Sequence, residues 1–421
     1  MPIKLWINPF LVGLLILFSL PLKLPALQHW LENLLSITFP VRLSLYTFFL
    51  PPTALLCLFW NRGRITEIWD KLRLPLIILV FLFCWMWLGA IMSDYQVIAL
   101  KHSGRYSIIL LTFLAILFAL DRNSIKQCGQ IFLAIYVFLI ALTFLDLHGK
   151  ISIPGFISDY GLHIDLFHRG ASPSSFFENR NPYAVASVAV FFWSLANLRH
   201  SLILSSAGIV AALYSIFMAG SRNGIITILI CLLFFLVLNF KKIRNVPTAF
   251  ILVLTAVIVV GIGYYSIYSQ TAKRIGQSKL DQLWSIKTYK DLEKFDTRFI
   301  IFRAALKYGI ANSPIIGSGT KTFGHEVFSN TKDIAYLNAP EYKNKYNSHN
   351  FLLTVWIEMG LVGLIAVLVF LWLWYRPALR GPPLLMMPMF AICVGQILDY
   401  FIWQIFFMAF QSFFFAHFAS S

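Results

Sequence analysis

About twelve unbroken apolar stretches, each of roughly 17 to 25 residues, succeed one another along this chain. They fall near 7–23, 40–60, 75–94, 105–121, 129–147, 182–198, 202–220, 223–240, 247–269, 350–374, 382–399 and 401–418. Wound as helices, stretches of that length match the hydrocarbon thickness of a bilayer. A transmembrane barrel would show shorter segments of alternating polarity. Of the 421 residues, 59% are hydrophobic and 12% charged, which excludes a soluble multidomain enzyme and a disordered chain. The expected fold class is all-α: a polytopic integral membrane protein with about twelve transmembrane helices.

The first stretch follows Lys4 but precedes Pro21-Leu-Lys-Leu-Pro25 without a small-x-small cleavage signature, so it is expected to remain as a span. The net charge of +16 lies mostly in loops, and so argues for topology rather than for nucleic acid. With the N-terminus inside, Arg62, Arg64, Lys71, Arg73, Arg122, Lys126, Arg199, Lys241, Lys242, Arg244, Arg376 and Arg380 all fall on the inner face. Residues 148–181 and 270–349 then lie outside. Three regions result: the N-terminal spans 1–269 with the outer loop 148–181, a large outer segment 270–349 with helices of its own, and the C-terminal spans 350–421. Helices are expected over 280–310 and near 350, with loop signals at 312–319 and 338–340.

Four polar clusters interrupt this pattern on the outer side. Gly220-Ser-Arg222-Asn-Gly224 joins two strongly apolar spans. An Arg at that depth marks a polar site, its planar fork suiting phosphate, or else snorkels to lipid headgroups. Asp296-Thr-Arg298 opens an amphipathic helix in which Arg303 and Lys307 share a face. The plain alternative is a solvated basic face. Tyr346-Asn-Ser-His349-Asn350 stands where the outer segment enters a span, followed by Glu358, Gly360 and Gly363. His349 is suited to moving a proton near neutral pH, and Asn350 to capping the helix. Finally, Phe177-Glu-Asn-Arg180-Asn181-Pro-Tyr183 leads into a span, with Asn181 as a plain N-cap and Arg180 adding positive charge.

Other chemistries lack their motifs. The five cysteines, Cys57, Cys84, Cys128, Cys231 and Cys393, sit in or beside apolar runs, without disulfide or zinc spacing. Asp291 and Glu293 are flanked by Lys290 and Lys294 and read as a solvated helix face. There is no phosphate loop, dinucleotide fingerprint, H-E-x-x-H or G-x-S-x-G. No metal site and no cofactor are expected. Two arginines and a histidine on one face suit a diphosphate-bearing substrate at the membrane surface.

Taken in order, Ser-Arg222, Arg298, Ser313-Pro-x-x-Gly-x-Gly319, His349-Asn350 and Glu358-x-Gly-Leu-x-Gly resemble the O-antigen ligase and O-antigen polymerase-like superfamily over about residues 170 to 370. The resemblance implies a GT-C-type glycosyltransferase of the bacterial inner membrane, its active site facing the periplasm. The donor would be a glycan linked to undecaprenyl diphosphate, the acceptor a lipid A-core sugar, and transfer inverting and metal-independent. By position, Arg222 and Arg298 would hold the diphosphate, with Arg303 and Arg180 as helpers, and His349 would be the general base. Asn350, Asn181 and Glu358 would support them. The charged Glu178 and Arg180 depart from the plainer turn usual in the family. A polymerase using the same donor is the alternative, and a transporter of an anionic solute or glycan lipid is the reading from another class. That last reading predicts ionisable groups buried in mid-span and broken helices at matching places in two halves.

Overall fold

The computed structural model describes residues 8, 10–15, 49–120, 124–147, 180–219, 221–239, 297–312, 314–328, 348–376 and 383–398. Among them every regular element is helical. In chain order these are α1 (Leu50–Trp60), a 3-10 turn (Arg62–Arg64), α2 (Ile65–Ile91), α3 (Gln96–Ala119), α4 (Ser124–Leu147), α5 (Arg180–Asn197), α6 (Leu202–Ala219) and α7 (Arg222–Asn239). Then follow α8 (Thr297–Ala304), running into a π-helical turn (Ala305–Gly309) and a last turn (Ile310–Asn312), then α9 (Phe323–Phe328), α10 (Phe351–Tyr375) and α11 (Pro383–Leu398).

Five of the described helices are long and apolar enough to cross a membrane: Arg62–Ile91, Gln96–Ala119, Gln127–Leu145, Leu202–Ala219 and Phe351–Tyr375. Three shorter apolar helices, Leu50–Trp60, Asn223–Leu238 and Leu384–Ile397, pack among them. The chain is an integral membrane protein by this character. The spans expected at 247–269 and 401–418, the loop 148–179 and much of 270–349 lie outside the described residues. The helix expected over 280–310 is seen from Thr297 and gives way to the π-helical turn at Ala305, so Lys307 no longer follows Arg303 at α-helical spacing.

At the centre stands α5. Every residue from Pro182 to Ser194 is buried, the mark of a helix surrounded by other helices rather than by lipid on one side. Its small residues Ala184, Ala186, Ser187 and Ala189 let α6, α7 and α11 approach closely. Two of the contacts require glycine on the facing helix. A Cβ at Gly224 of α7 would collide with the Ala184 methyl, and one at Gly395 of α11 would lie 2.5 Å from a Val185 methyl. These two close approaches fix how the first turn of α7 and the last turn of α11 sit against α5.

A second layer is formed by α1, α2 and α3, with α10 packed on α2. The 27 residues of α2 span about 40 Å and separate two chemically different ends. At one end Arg64 donates to the Phe118 carbonyl (3.0 Å) and Arg62 stacks over Phe59. At the other, Ser93 donates to the Ser318 carbonyl (2.5 Å), and the Tyr95 and His325 rings lie 5.2 Å apart. The short helices α8 and α9 sit at this second end, where Ile301, Ala304, Ala305, Phe323 and Val327 pack around Ile357 of α10.

Candidate functional site

Two sequence-distant segments, those carrying Arg222 and His349, are anchored to the same turn of α11. Asn223 Nδ2 donates to the Gly395 carbonyl (3.2 Å), and Asn350 Nδ2 donates to the Ile397 carbonyl (3.2 Å). Carbonyls in the last turn of a helix have no partner within it, so they are natural acceptors for such ties. The first turn of α7 is fixed a second time: Ser221 Oγ accepts from the Gly224 amide (3.3 Å) as an N-cap and donates to Asn181 Oδ1 (2.7 Å). Asn181 was expected to cap α5. It lies instead inside the first turn, because α5 begins at Arg180, and its side chain reaches across to α7. Arg180 and Arg222 are each the first residue of a helix, α5 and α7, and this bond joins those two starts.

His349 occupies left-handed backbone (φ 50°), which histidine adopts more readily than most residues. Its neighbours hold it there. Ser348 Oγ accepts from the Asn350 amide (3.1 Å), donates to the Asn350 carbonyl (2.5 Å) and pairs with Thr354 Oγ1. Asn350 is extended (φ −148°, ψ 120°) and its Oδ1 accepts from the Leu353 amide (2.9 Å), confirming it as the N-cap of α10. The half-buried imidazole thus stands on a turn clamped from both sides. Because the Asn350 oxygen caps α10 while its amide holds α11, the two roles are separable. Asn350→Asp is expected to keep the cap, with the melting temperature in detergent little changed, but to lower turnover by roughly tenfold through loss of the tie to Ile397. Equal turnover in wild type and variant would remove the tie from the site.

Ten residues into α10 the helix breaks. Gly360 has φ 68° and ψ −175°, a region reserved for glycine. The break would leave backbone groups unpaired inside a membrane span, and the segment 314–319 answers them one by one. Ser318 and Gly319 amides donate to the Ile357 (2.8 Å) and Glu358 (3.0 Å) carbonyls. Leu361 and Val362 amides donate to the Pro314 (2.9 Å) and Ile315 (3.3 Å) carbonyls. The remaining Met359 carbonyl accepts from Trp85 Nε1 of α2 (2.8 Å). The glycine-bearing segments 314–319 and 358–363 are therefore one interlocked structure. Buried Glu358 faces the backbone amides of Lys321 and Phe323, which joins α10 to the start of α9.

Arg298 lies half-buried in the first turn of α8, and Arg303 is exposed one turn further on. Their helix is seated on α10 through Ile301, Ala304 and Ile357, so its position follows from that of the broken helix. Sequence reasoning singled out Ser221 and Asn223 beside Arg222 without a role for either, and missed Trp85 and a polar turn of α3, Lys101-His102-Ser103-Gly104-Arg105. The last carried a readable signal, two cations inside a span. Among the described residues, no group of three His, Cys, Asp or Glu side chains is placed to hold a metal ion.

The arrangement joins an arginine-bearing helix start, a clamped histidine and a loop locked into a broken span. Residues 207–368, which contain all three, match the family model described as O-antigen ligase. Over that stretch the chain is similar to the O-antigen ligase family. No curated protein matches the chain. The matched stretch begins in α6 and ends within α10, so the O-antigen ligase-like region holds Arg222, Arg298, His349, Glu358 and both glycine motifs. Arg180, Asn181, α3 and α11 lie outside it. The match points to a membrane enzyme of the ligase or polymerase type.

Proposed function

We propose that this chain is a glycosyltransferase of the inner membrane that moves a glycan from undecaprenyl diphosphate to a lipid A-core sugar at the periplasmic face. The observation that carries the reading is the common anchor on α11. It ties the start of α7, with Arg222, and the turn holding His349 to carbonyls two residues apart, and both tied segments, though not α11, lie in the stretch that matches the O-antigen ligase model. A polymerase would share the donor site and differ in the acceptor.

In the proposed reaction the acceptor hydroxyl oxygen attacks the anomeric carbon of the donor, and the bond from that carbon to the diphosphate oxygen breaks with inversion. The hydroxyl proton passes to the His349 imidazole. The leaving diphosphate gains negative charge, which Arg222 and Arg298 offset, with Arg303 and Arg180 further out. Fixed cations of this kind act most strongly where water is excluded, as at the mouth of a helix bundle. The protein would need no cofactor of its own.

The test is transfer in proteoliposomes supplied with a polyprenyl-diphosphate glycan and a lipid A-core acceptor in the presence of chelator. Wild type is expected to glycosylate the acceptor, and Arg222→Ala to lose roughly 100- to 1,000-fold in rate, as when a charge-stabilising donor is removed. A glycan that lengthens on its own carrier would instead identify a polymerase. A glycan lipid that crosses the bilayer without transfer would make the protein a transporter.

A further inference from the structure

The turn of α11 that anchors the Arg222 and His349 segments carries a third polar group, one with an uncommitted donor. Gln396 lies between Gly395 and Ile397, whose carbonyls receive Asn223 and Asn350. It is 3% exposed, and its Nε2 has no hydrogen-bond partner among the described residues. The other amides and hydroxyls named at this joint are committed. Asn181 accepts from Ser221, Asn223 Oδ1 accepts from Thr227 (3.3 Å), and Ser348 bonds to Asn350 and Thr354 around the histidine turn. A buried donor without a partner in the fold costs stability, so its partner is sought outside the chain.

Where the amide stands follows from the other contacts of α11. Cys393, one turn earlier on the same face, is hydrogen-bonded to Tyr375 of α10, so this face is turned towards α10. Yet α10 does not lie flat against it. Tyr375, the last residue of α10, also donates to the Met389 carbonyl (3.4 Å), while Asn350 at the other end reaches Ile397. Those two acceptors are about 12 Å apart along α11, whereas a straight helix from Asn350 to Tyr375 would span about 37 Å, a difference the two side chains cannot bridge. The break at Gly360 lets both ends reach, and it lies against α2, where Trp85 holds the Met359 carbonyl. Between its two ties α10 therefore arches away from α11, and Gln396 stands on the arched side, beside the tie that positions His349.

An amide suits what the proposed reaction would bring there. Arginines supply charge for phosphate, but a primary amide is neutral and offers donor and acceptor side by side, which matches a sugar hydroxyl. The first sugar of the donor spans the interval between the diphosphate assigned to Arg222 and the acceptor oxygen assigned to His349, because its anomeric carbon is bonded to one and attacked by the other. The turn carrying Gln396 is the one to which both of those segments are tied.

We propose that Gln396 determines donor specificity by hydrogen-bonding a hydroxyl of this first donor sugar. The proposal rests on the transferase reading.

The test uses Gln396→Met, which keeps the length and flexibility of the side chain and removes its polarity. Since no described residue depends on the amide nitrogen, the variant is expected to melt at or above the wild-type temperature in detergent, as when an unpaired buried polar group gives way to an apolar one of similar shape. In proteoliposomes holding an undecaprenyl-diphosphate-linked glycan and a lipid A-core acceptor, kcat/KM for the donor is expected to fall about 10- to 100-fold. Bare undecaprenyl diphosphate, which has the phosphates but no sugar, is expected to compete with the donor equally well in both proteins. A variant that melts well below wild type would give the amide a partner inside the protein and overturn the proposal. Unchanged kcat/KM would overturn it too, as would weaker competition by bare undecaprenyl diphosphate in the variant, which would place the amide on phosphate. Transfer by wild type and variant alike would refute the role of Gln396 alone, whereas a wild type that transfers no glycan would end the transferase reading and this proposal with it.

Discussion

Replacing His349 with asparagine is expected to lower glycan transfer by roughly 100- to 10,000-fold, the range lost when a positioned general base is removed. Asparagine is the informative substitution because the turn imposes φ 50°. Asn, like His, tolerates left-handed backbone, whereas alanine there would add a conformational cost of about 1 kcal/mol. The clamp around the turn is made by Ser348, Asn350 and Thr354 and none of it is removed by the change. Stability should therefore stay within about 0.5 kcal/mol of wild type, as for a substitution away from the core. The side chain keeps its polarity but loses the nitrogen that accepts a proton. The measurement is single-turnover transfer beside thermal unfolding of the same preparations. A variant that unfolds normally and still transfers at a tenth of the wild-type rate or better would exclude His349 as the proton acceptor. A raised acceptor KM with unchanged kcat would make it a binding residue instead.

How much of this was legible in the sequence follows from which interactions are local. Helix content and membrane character came from runs of apolar residues, and the capping role of Asn350 from its place before such a run. The loop 313–319 was marked by its Pro and glycines, and Gly360 by standing inside an apolar helix. What sequence could not supply was that these glycines meet. Ser318 bonds to Ile357 across 39 positions, and Asn223 to Gly395 across 172, and neither has a local periodicity that would announce it. The displaced cap at Asn181 has the same origin. Its partner Ser221 lies 40 residues away, and a bond across helices outweighed the local cap. The transporter reading anticipated broken helices, and among the described residues α2 is broken at Leu72 and α10 has a break at Gly360. The groups exposed at Gly360 are answered by protein backbone and by Trp85, which leaves them committed to structure rather than to a solute.

That commitment leads to the largest expected loss of stability, at Gly360→Ala. The residue sits at φ 68° and ψ −175°, where an L side chain costs about 1 to 3 kcal/mol from backbone sterics alone. Space makes the change worse. A Cβ there would fall on the Ile315 carbonyl oxygen and within 2.5 Å of the Ile316 amide nitrogen, and those atoms are backbone that cannot rotate away. Relief requires the loop to withdraw, and withdrawal would expose the Ile357 and Glu358 carbonyls and the Leu361 and Val362 amides inside a span. Each buried polar group left without a partner costs about 1 to 3 kcal/mol, so the sum approaches the whole stability of an ordinary domain. Gly360→Ala should therefore accumulate poorly in membranes and melt well below wild type in detergent. Gly317→Ala should behave alike, since its φ is 88° and its Cβ would lie 2.5 Å from the Glu358 carbonyl carbon. If the loop and the broken helix act as one unit, the double variant will be little worse than either single one, because the first substitution already undoes the contact that the second would disturb. Fully additive losses would mean that the two glycines serve separate structures, and the position of Arg298, carried on α8 above this joint, would then need another source.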